Sequence, residues 1–372
     1  MKRPGLIETG RNSRAIGRRD DRSPQGEDRD AEEAGYYDLS MLKPPVWKWE
    51  IASYFFLGGL SAGAYLLSRL AARFGGRSME GVRSVGTAVA AIAALPCAPL
   101  LIKDLGHMSR FHHMLRVVKP ESPMSVGTWA LTVYSAAVAL SAVQEWLGSE
   151  SLDGAAKRRI AAALERGRPI MVTALDGAGI PAALVMISYT GVLVSCTAIP
   201  AWSRQAWLSP LFVASGMSTA AASIQLGLAA TREGEEPTAA EAALEKIESV
   251  ARLAEAVSLG GYLRSAGPLA RPLTHGKLAH HTLLAAAALA IPEAIHHLLP
   301  GKPSRWKTYL AAGITLAGGM SLRWAVVHAG RESANDPHAA RQASGPSHPE
   351  QGRLSLRESS ADRLLSRSER RL

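Results

Sequence analysis

The chain has two cysteines, Cys97 and Cys196, in 372 residues. That scarcity excludes a disulfide framework, a CxxC zinc ribbon and any cysteine-ligated iron–sulfur cluster carried by this chain alone. No GxGxxG followed by a ribose-binding acid occurs, and no GxxxxGK[ST]. Redox-metal or nucleotide chemistry therefore falls to a partner. Charge is missing from the middle of the chain. Mean hydropathy is only +0.02 and the formal net charge is +10, but these averages hide an uneven distribution. Arg, Asp, Glu and Ser crowd both ends, and long central stretches carry no charge at all.

Residues 1–45 and 331–372 are charged, rich in Gly, Pro and Ser, and poor in large apolar side chains. Such segments bury too little surface to offset the entropy of ordering, so both read as disordered tails. The first lacks an apolar stretch of signal-peptide type. No aromatic residue interleaves the basic ones after Gly330, which argues against a nucleic-acid partner.

What remains is a series of apolar segments near the length of about 20 residues that a membrane helix requires. They run Ile51–Leu67, Ser84–Ile102, Val126–Gln144, Ile180–Trp202, Ala206–Thr231, Leu278–Leu299 and Thr308–Val327. Trp47 and Trp49 front the first, as in an interfacial aromatic belt. A further helix over residues 239–263 is harder to see. It carries Glu241, Glu245, Lys246, Glu248, Arg252 and Glu255 among apolar residues at helical spacing. It reads either as a soluble surface helix or as a membrane helix whose polar stripe faces a bundle. We take it as the latter. A water-soluble helix needs a polar face, which the first five segments lack, so the reading is an all-α integral membrane protein. It has eight transmembrane helices in two four-helix bundles over residues 46–330. Lys and Arg are denser in the loops holding Arg69 to Arg83, Lys157 to Arg168, and Lys302 to Lys307. The positive-inside rule puts that side in the cytoplasm and both tails outside.

The loop after the second segment, KDLGHMSRFHHMLRVVKPESPMSVGTWAL (residues 103–131), combines Asp-Leu-Gly at a helix end, Arg-Phe, and Ser-Pro-Met-Ser-x-Gly-x-Trp at the next helix start. This combination resembles the NrfD/polysulfide reductase membrane-subunit family. WKWEIASYFFLGGLSAGAYL, YTGVLVSCTAIPAW (residues 189–202) and SLRWAVVHAG (residues 321–330) resemble that family's first, fourth and last helices. The resemblance implies a membrane lipid environment, the inner (cytoplasmic) membrane of a prokaryote, and a subunit without its own metal or haem. It implies a menaquinone or ubiquinone site near one membrane face, beside a four-cluster iron–sulfur protein that serves a molybdenum or tungsten catalytic subunit. Electrons would pass between the quinone pool and that partner. On this reading the chain is not catalytically complete alone.

Quinone chemistry moves protons with electrons, so a site needs an apolar slot, hydrogen-bonding groups at the carbonyls and a titratable group nearby. Glu50 and Tyr54 share a helix face at i and i+4. Asp104 and His107 end the second segment, at the same membrane face if the two helices are antiparallel. Tyr189 lies in the Tyr-Thr-Gly motif where the family places a quinone-facing tyrosine. The expected site is Tyr54, Asp104, His107 and Tyr189, with Glu50 behind. Glu255, Glu293 and Arg323 form a deeper set. Ionisable groups at bilayer depth are costly and mark function or a locked ion pair. They suggest a proton path, with Glu255 and Arg323 as a candidate pair. Two alternatives to the quinone subunit follow: a proton- or ion-translocating module that works through these acids, and a haem-free structural anchor. His280 and His297 stand about 25 Å apart along one helix and cannot ligate one haem.

Overall fold

The computed structural model describes residues 42–105, 108–148, 167, 170–231, 238–298 and 304–343. Among them there is no strand. The chain begins its helices at α1 (Trp49–Phe74). The second segment is a broken pair, α2 (Glu80–Ala94) and α3 (Cys97–Asp104). Pro96 interrupts it, because a proline lacks the N–H that a continuing helix would use. Then follow α4 (Pro123–Gly148), α5 (Ile180–Ser195), α6 (Leu208–Thr231) and α7 (Ala239–Ala266). The last long helices are α8 (Ala279–Leu298) and α9 (Arg305–Asn335), followed by the short α10 (Pro337–Ala343). Among the described residues, seven spans are long and apolar enough to cross a membrane, with α2 and α3 counted as one. Helix α7 is not among them.

The fourth span starts earlier than its apolar run suggests. Helical winding runs from Ile170 to Ser195 and includes one π-helical stretch, Leu175–Gly179. The sequence hides this start behind Asp176 and two glycines. Asp176 is accommodated because Arg69 on α1 pairs with it at 2.7 Å. The π-turn precedes Pro181, where a regular ladder would lose a bond in any case.

The C-terminal boundary also moves. Helix α9 continues to Asn335, and α10 reaches Ala343, so residues 331–343 are helical rather than a disordered tail. Ser333 and Ala334 are buried, and Ser333 Oγ accepts from the Ala201 backbone N–H at 3.2 Å. Small side chains let this turn dock where charge alone suggested solvent. The expected tails over residues 1–41 and 344–372 lie outside the described residues.

Helix α1 is the axis of the assembly. It packs against α2, α3, α5, α6 and α9. Its contact with α6 is a backbone approach: a Cβ on Gly63 would sit 2.7 Å from the Gly216 carbonyl oxygen. Only glycine permits this crossing, as expected where small residues let helices meet closely. Helix α4 packs on α2 and α5. Helix α6 packs on α7 and α9, and α8 on α9.

Helix α7 has its amphipathicity reversed. Glu248 and Arg252 are each 3% exposed and Glu255 6%, whereas Val250 is 67% exposed, Leu253 65% and Val257 57%. Water would favour the opposite arrangement, with charge outside and valine within. The helix begins with a capping box between Thr238 and Glu241, which satisfies backbone N–H groups that the first turn leaves open.

Candidate functional site

The start of α1 places Tyr54 inward, fully buried. Helix α5 brings Tyr189 to it, and the two phenol oxygens share a hydrogen bond of 2.8 Å across 135 residues of sequence. The space for the Tyr189 ring comes from α4. A Cβ on Gly127 would lie 2.3 Å from Tyr189 Cε2. Thus two motifs that carry the family resemblance, Ser-Pro-Met-Ser-x-Gly and Tyr-Thr-Gly, meet at one point.

The tyrosine pair faces a cavity of about 340 Å³. Its walls are largely apolar, including Ile51 and Phe55 of α1, Leu101 of α3, Leu131 of α4 and Leu193 of α5. Asp104 stands at the end of α3 on the cavity lining, half-buried. It makes no ion pair among the described residues. Lys103 is engaged elsewhere: its ammonium lies 3.3 Å from Glu50 Oε1 and 4.4 Å from the centre of the Trp49 ring. Glu50 is buried and does not line the cavity. Its Oε2 has no hydrogen-bond partner among the described residues.

Three of the expected residues, Tyr54, Asp104 and Tyr189, therefore converge on one cavity, with Glu50 behind them. His107 lies outside the described residues. Sequence reasoning did not anticipate Trp47 as part of the lining. It stacks on the buried Trp202, with ring centres 5.4 Å apart. Trp202 Nε1 in turn donates to the Val326 carbonyl at 2.7 Å. This ties the α1 entrance and the cavity wall to α9. The Ile-Pro-Ala-Trp and Trp-Ala-Val-Val segments of the sequence were the available signal for it.

The cavity offers two hydroxyls in mutual contact, a carboxyl group at the rim, and an apolar slot. Its volume falls in the range of small-molecule pockets, roughly 300–1,000 Å³. Thr128 and Thr132 also line it, but each donates its hydroxyl proton to a carbonyl of its own helix, at 2.9 Å. With Tyr54, Tyr189, Asp104 and Ser135, the polar side chains left to face the slot are few.

The deeper set is arranged differently from the expectation. Glu255 and Arg323 do not form an ion pair. Arg323, fully buried, donates to Ser215 Oγ and to the Phe212 carbonyl at 2.9 Å, and its guanidinium lies 4.8 Å from the centre of the Phe212 ring. Glu255 accepts from Ser218 Oγ at 3.0 Å. Serines of α6 intervene between the two charges, which the sequence spacing did not reveal. Glu293 meets Arg252 and Ser249 of α7. Arg252 also meets Glu248, which accepts from Gln225 Nε2 at 2.7 Å and from Thr315 Oγ1 at 3.0 Å. Sequence reasoning places Glu248 and Arg252 only on a polar stripe facing the bundle and does not anticipate Gln225 or Thr315. The i,i+4 spacing of Glu248 and Arg252 was the signal present. Among the described residues, no group of His, Cys, Asp and Glu is placed to hold a metal ion.

A family model described as "Polysulphide reductase, NrfD" matches residues 38–333. The sequence is 30% identical to the polysulfide reductase C subunit of Wolinella succinogenes over 309 residues, which cover 77% of this chain and 94% of that protein. The match takes in every long helix from α1 to α8 and nearly all of α9. This chain is a multi-pass membrane protein of the NrfD/polysulphide reductase family.

Proposed function

We propose that this chain is the quinone-reactive membrane anchor of an oxidoreductase complex, exchanging electrons between menaquinone or ubiquinone and a partner four-cluster iron–sulfur protein. That partner would serve a molybdenum or tungsten catalytic subunit, in the inner membrane of a prokaryote. The observation that carries this reading is the Tyr54–Tyr189 pair at the head of an apolar cavity, with Asp104 at its rim. One tyrosine hydroxyl can donate to a quinone carbonyl while the other holds it in place. Asp104 can exchange a proton between the ring oxygen and water at the membrane face. His107, three residues after Asp104 in the sequence motif, is a second candidate for that exchange. Glu50 acts from behind by fixing Lys103.

We also take α7 as the eighth membrane helix. Its charged face is buried and its valine-rich face is exposed, which suits lipid around it. We take the helices as two four-helix groups, α1 to α5 and α6 to α9, that meet where α1 packs on α6 and α9 and α5 packs on α6. By the charge of its loops, the chain would carry its tails on the outer side.

A second reading rests on a separate observation. Glu248, Arg252 and Glu293, and beside them Glu255, Ser218, Ser215 and Arg323, form polar clusters inside the α6–α9 half. These residues could carry protons across the membrane in step with quinone turnover. Dependence of turnover on the membrane gradient, lost in Glu293→Gln, would favour that module. Gradient-independent turnover would leave the clusters as locks between helices.

The direct test is a titration of the purified protein with a fluorescent hydroxyquinoline N-oxide quinol analogue. Wild type should quench saturably, and Tyr189→Phe should bind at least several-fold more weakly while melting cooperatively. Equal binding by the folded variant would remove the quinone from this cavity. No saturable quenching of the wild type, alone or in the assembled complex, would leave a structural anchor.

A further inference from the structure

We propose that a second cavity, at the end of α1 remote from Tyr54, holds the phosphate of one anionic phospholipid headgroup. The cavity measures about 430 Å³ and lies between the last turns of α1, the start of α2, α4, and the helical turns before α5. Four arginines line it, Arg69, Arg73, Arg77 and Arg83, against the acids Asp176, Glu80 and Glu145. Arg69 is taken up by Asp176 at 2.7 Å. Arg83 is taken up by Glu145 at 2.8 Å and Glu80 at 3.3 Å. Arg73 and Arg77 have no ion-pair partner among the described residues, and the lining carries one positive charge in excess.

A second, independent observation comes from α4. Ser141 lines this cavity and is only 4% exposed; its Oγ stands beside the Tyr65 hydroxyl, which donates to the Leu175 carbonyl at 3.2 Å, and it makes no bond of full hydrogen-bond geometry among the described residues. A buried hydroxyl with only this weak contact costs free energy unless something better fills the space beside it. An oxyanion would accept from this hydroxyl and from the two arginines together. Arg guanidinium groups suit phosphate because they donate in a planar fork.

The position selects a lipid over a free ion. Arg77 opens one apolar span and Phe74 closes another, so the cavity stands where the hydrocarbon ends. Leu70 and Phe74, on the last turns of α1, are 50% and 79% exposed and offer apolar surface to acyl chains. A phosphodiester carries one negative charge, which the lining's excess charge matches. Free phosphate at neutral pH carries more and would be under-compensated. Tyr54 and Arg69 are 15 residues apart on α1, about 22 Å at the helical rise, so this is not an extension of the tyrosine cavity. Basic pockets between membrane helices are a recognised setting for anionic headgroups.

The test is native mass spectrometry of the delipidated full chain in detergent. It is titrated with phosphatidylglycerol, with phosphatidylcholine, and with phosphatidylglycerol in the presence of inorganic phosphate. The expected result is one saturable phosphatidylglycerol adduct, no equivalent with phosphatidylcholine, and no displacement by millimolar phosphate. Arg73→Gln/Arg77→Gln should weaken the adduct about tenfold or more, and Arg73→Lys/Arg77→Lys should restore most of it. Arg73 and Arg77 are both exposed, and unchanged melting would confirm that each variant folds. Ser141→Ala gives an independent reading through a several-fold weaker adduct. Equal retention of the two lipids would overturn the proposal, as would an adduct indifferent to the glutamine pair. Displacement by inorganic phosphate would assign the cavity to a free anion and overturn the lipid.

Discussion

Gly127 on α4 and Tyr189 on α5 fit as socket and ring: a Cβ on Gly127 would come within 2.3 Å of Tyr189 Cε2 and 2.6 Å of Cζ. The ring cannot yield toward α1, because its hydroxyl already meets Tyr54. Gly127→Ala should therefore push the ring off its place. Overpacking of this kind costs about 1–3 kcal/mol. The expected outcome is a melting point lowered by several degrees and quinol-analogue binding weakened at least tenfold. An alanine variant that binds as wild type would show that the ring position does not matter to the ligand.

The two phenols should act as one unit. Tyr54→Phe leaves the Tyr189 hydroxyl without its present partner, and the reverse holds for Tyr189→Phe. A typical hydrogen bond contributes about 0.5–1.5 kcal/mol, and a buried group left unpaired costs about 1–3. Each single change should then weaken analogue binding appreciably, and the double change should cost less than the sum of the two. A double-mutant cycle by fluorescence titration measures this. Strict additivity would mean that the two hydroxyls contact the ligand independently.

Much of this architecture is legible in the sequence because lipid demands long apolar runs. Seven spans declare themselves by that criterion alone. The convergence of Tyr54, Asp104 and Tyr189 follows from antiparallel neighbours and from motif order. Other features could not be read. Asp176 belongs to a helix only because Arg69 neutralises it, and no local signal identifies that distant partner. Ser333 marks a docked helix rather than a tail because Ala201 needs an acceptor. Glu255 and Arg323 bond to neighbouring serines of α6, Ser218 and Ser215, without pairing. Sequence spacing gives the side of a helix, but not which small polar residue stands between two charges.

The reversed polarity of α7 makes a prediction about its surroundings. Cysteine placed at Val250 or Val257 should resist a membrane-impermeant maleimide in intact vesicles and react with an apolar one. Leu253→Arg should impair insertion or stability by roughly 2–3 kcal/mol, the penalty for arginine at membrane depth. Ready labelling of both cysteines by the impermeant reagent from either side would place α7 in water and leave seven spans.

Arg252 links Glu248 and Glu293 within α7 and α8. Removing Arg252 leaves the buried Glu248 uncompensated, at a cost of about 3–5 kcal/mol. Arg252→Ala should accordingly lower the melting point sharply. Glu248→Gln should cost less, because the amide can still accept from Thr315 and meet Gln225. Neither residue lines the tyrosine cavity, so the folded Glu248→Gln protein should bind the quinol analogue with wild-type affinity. Loss of binding in that variant would mean that the two regions are coupled through α6.

Replacing Asp104 should separate binding from proton transfer. It lines the cavity, and its neighbour Lys103 is committed to Glu50, so the carboxyl group is available to a ligand. Asp104→Asn keeps the shape and a hydrogen-bonding group but cannot exchange a proton at working pH. Analogue affinity should change by no more than a few-fold. Quinone-linked turnover of the assembled complex should fall by about a hundredfold or more, the usual scale for losing a positioned acid or base. Measuring both quantities on one preparation distinguishes the roles. A matching fall in affinity and turnover would make Asp104 a binding contact only. Unchanged turnover would hand the proton to another group at the same membrane face, with His107 the next residue to replace.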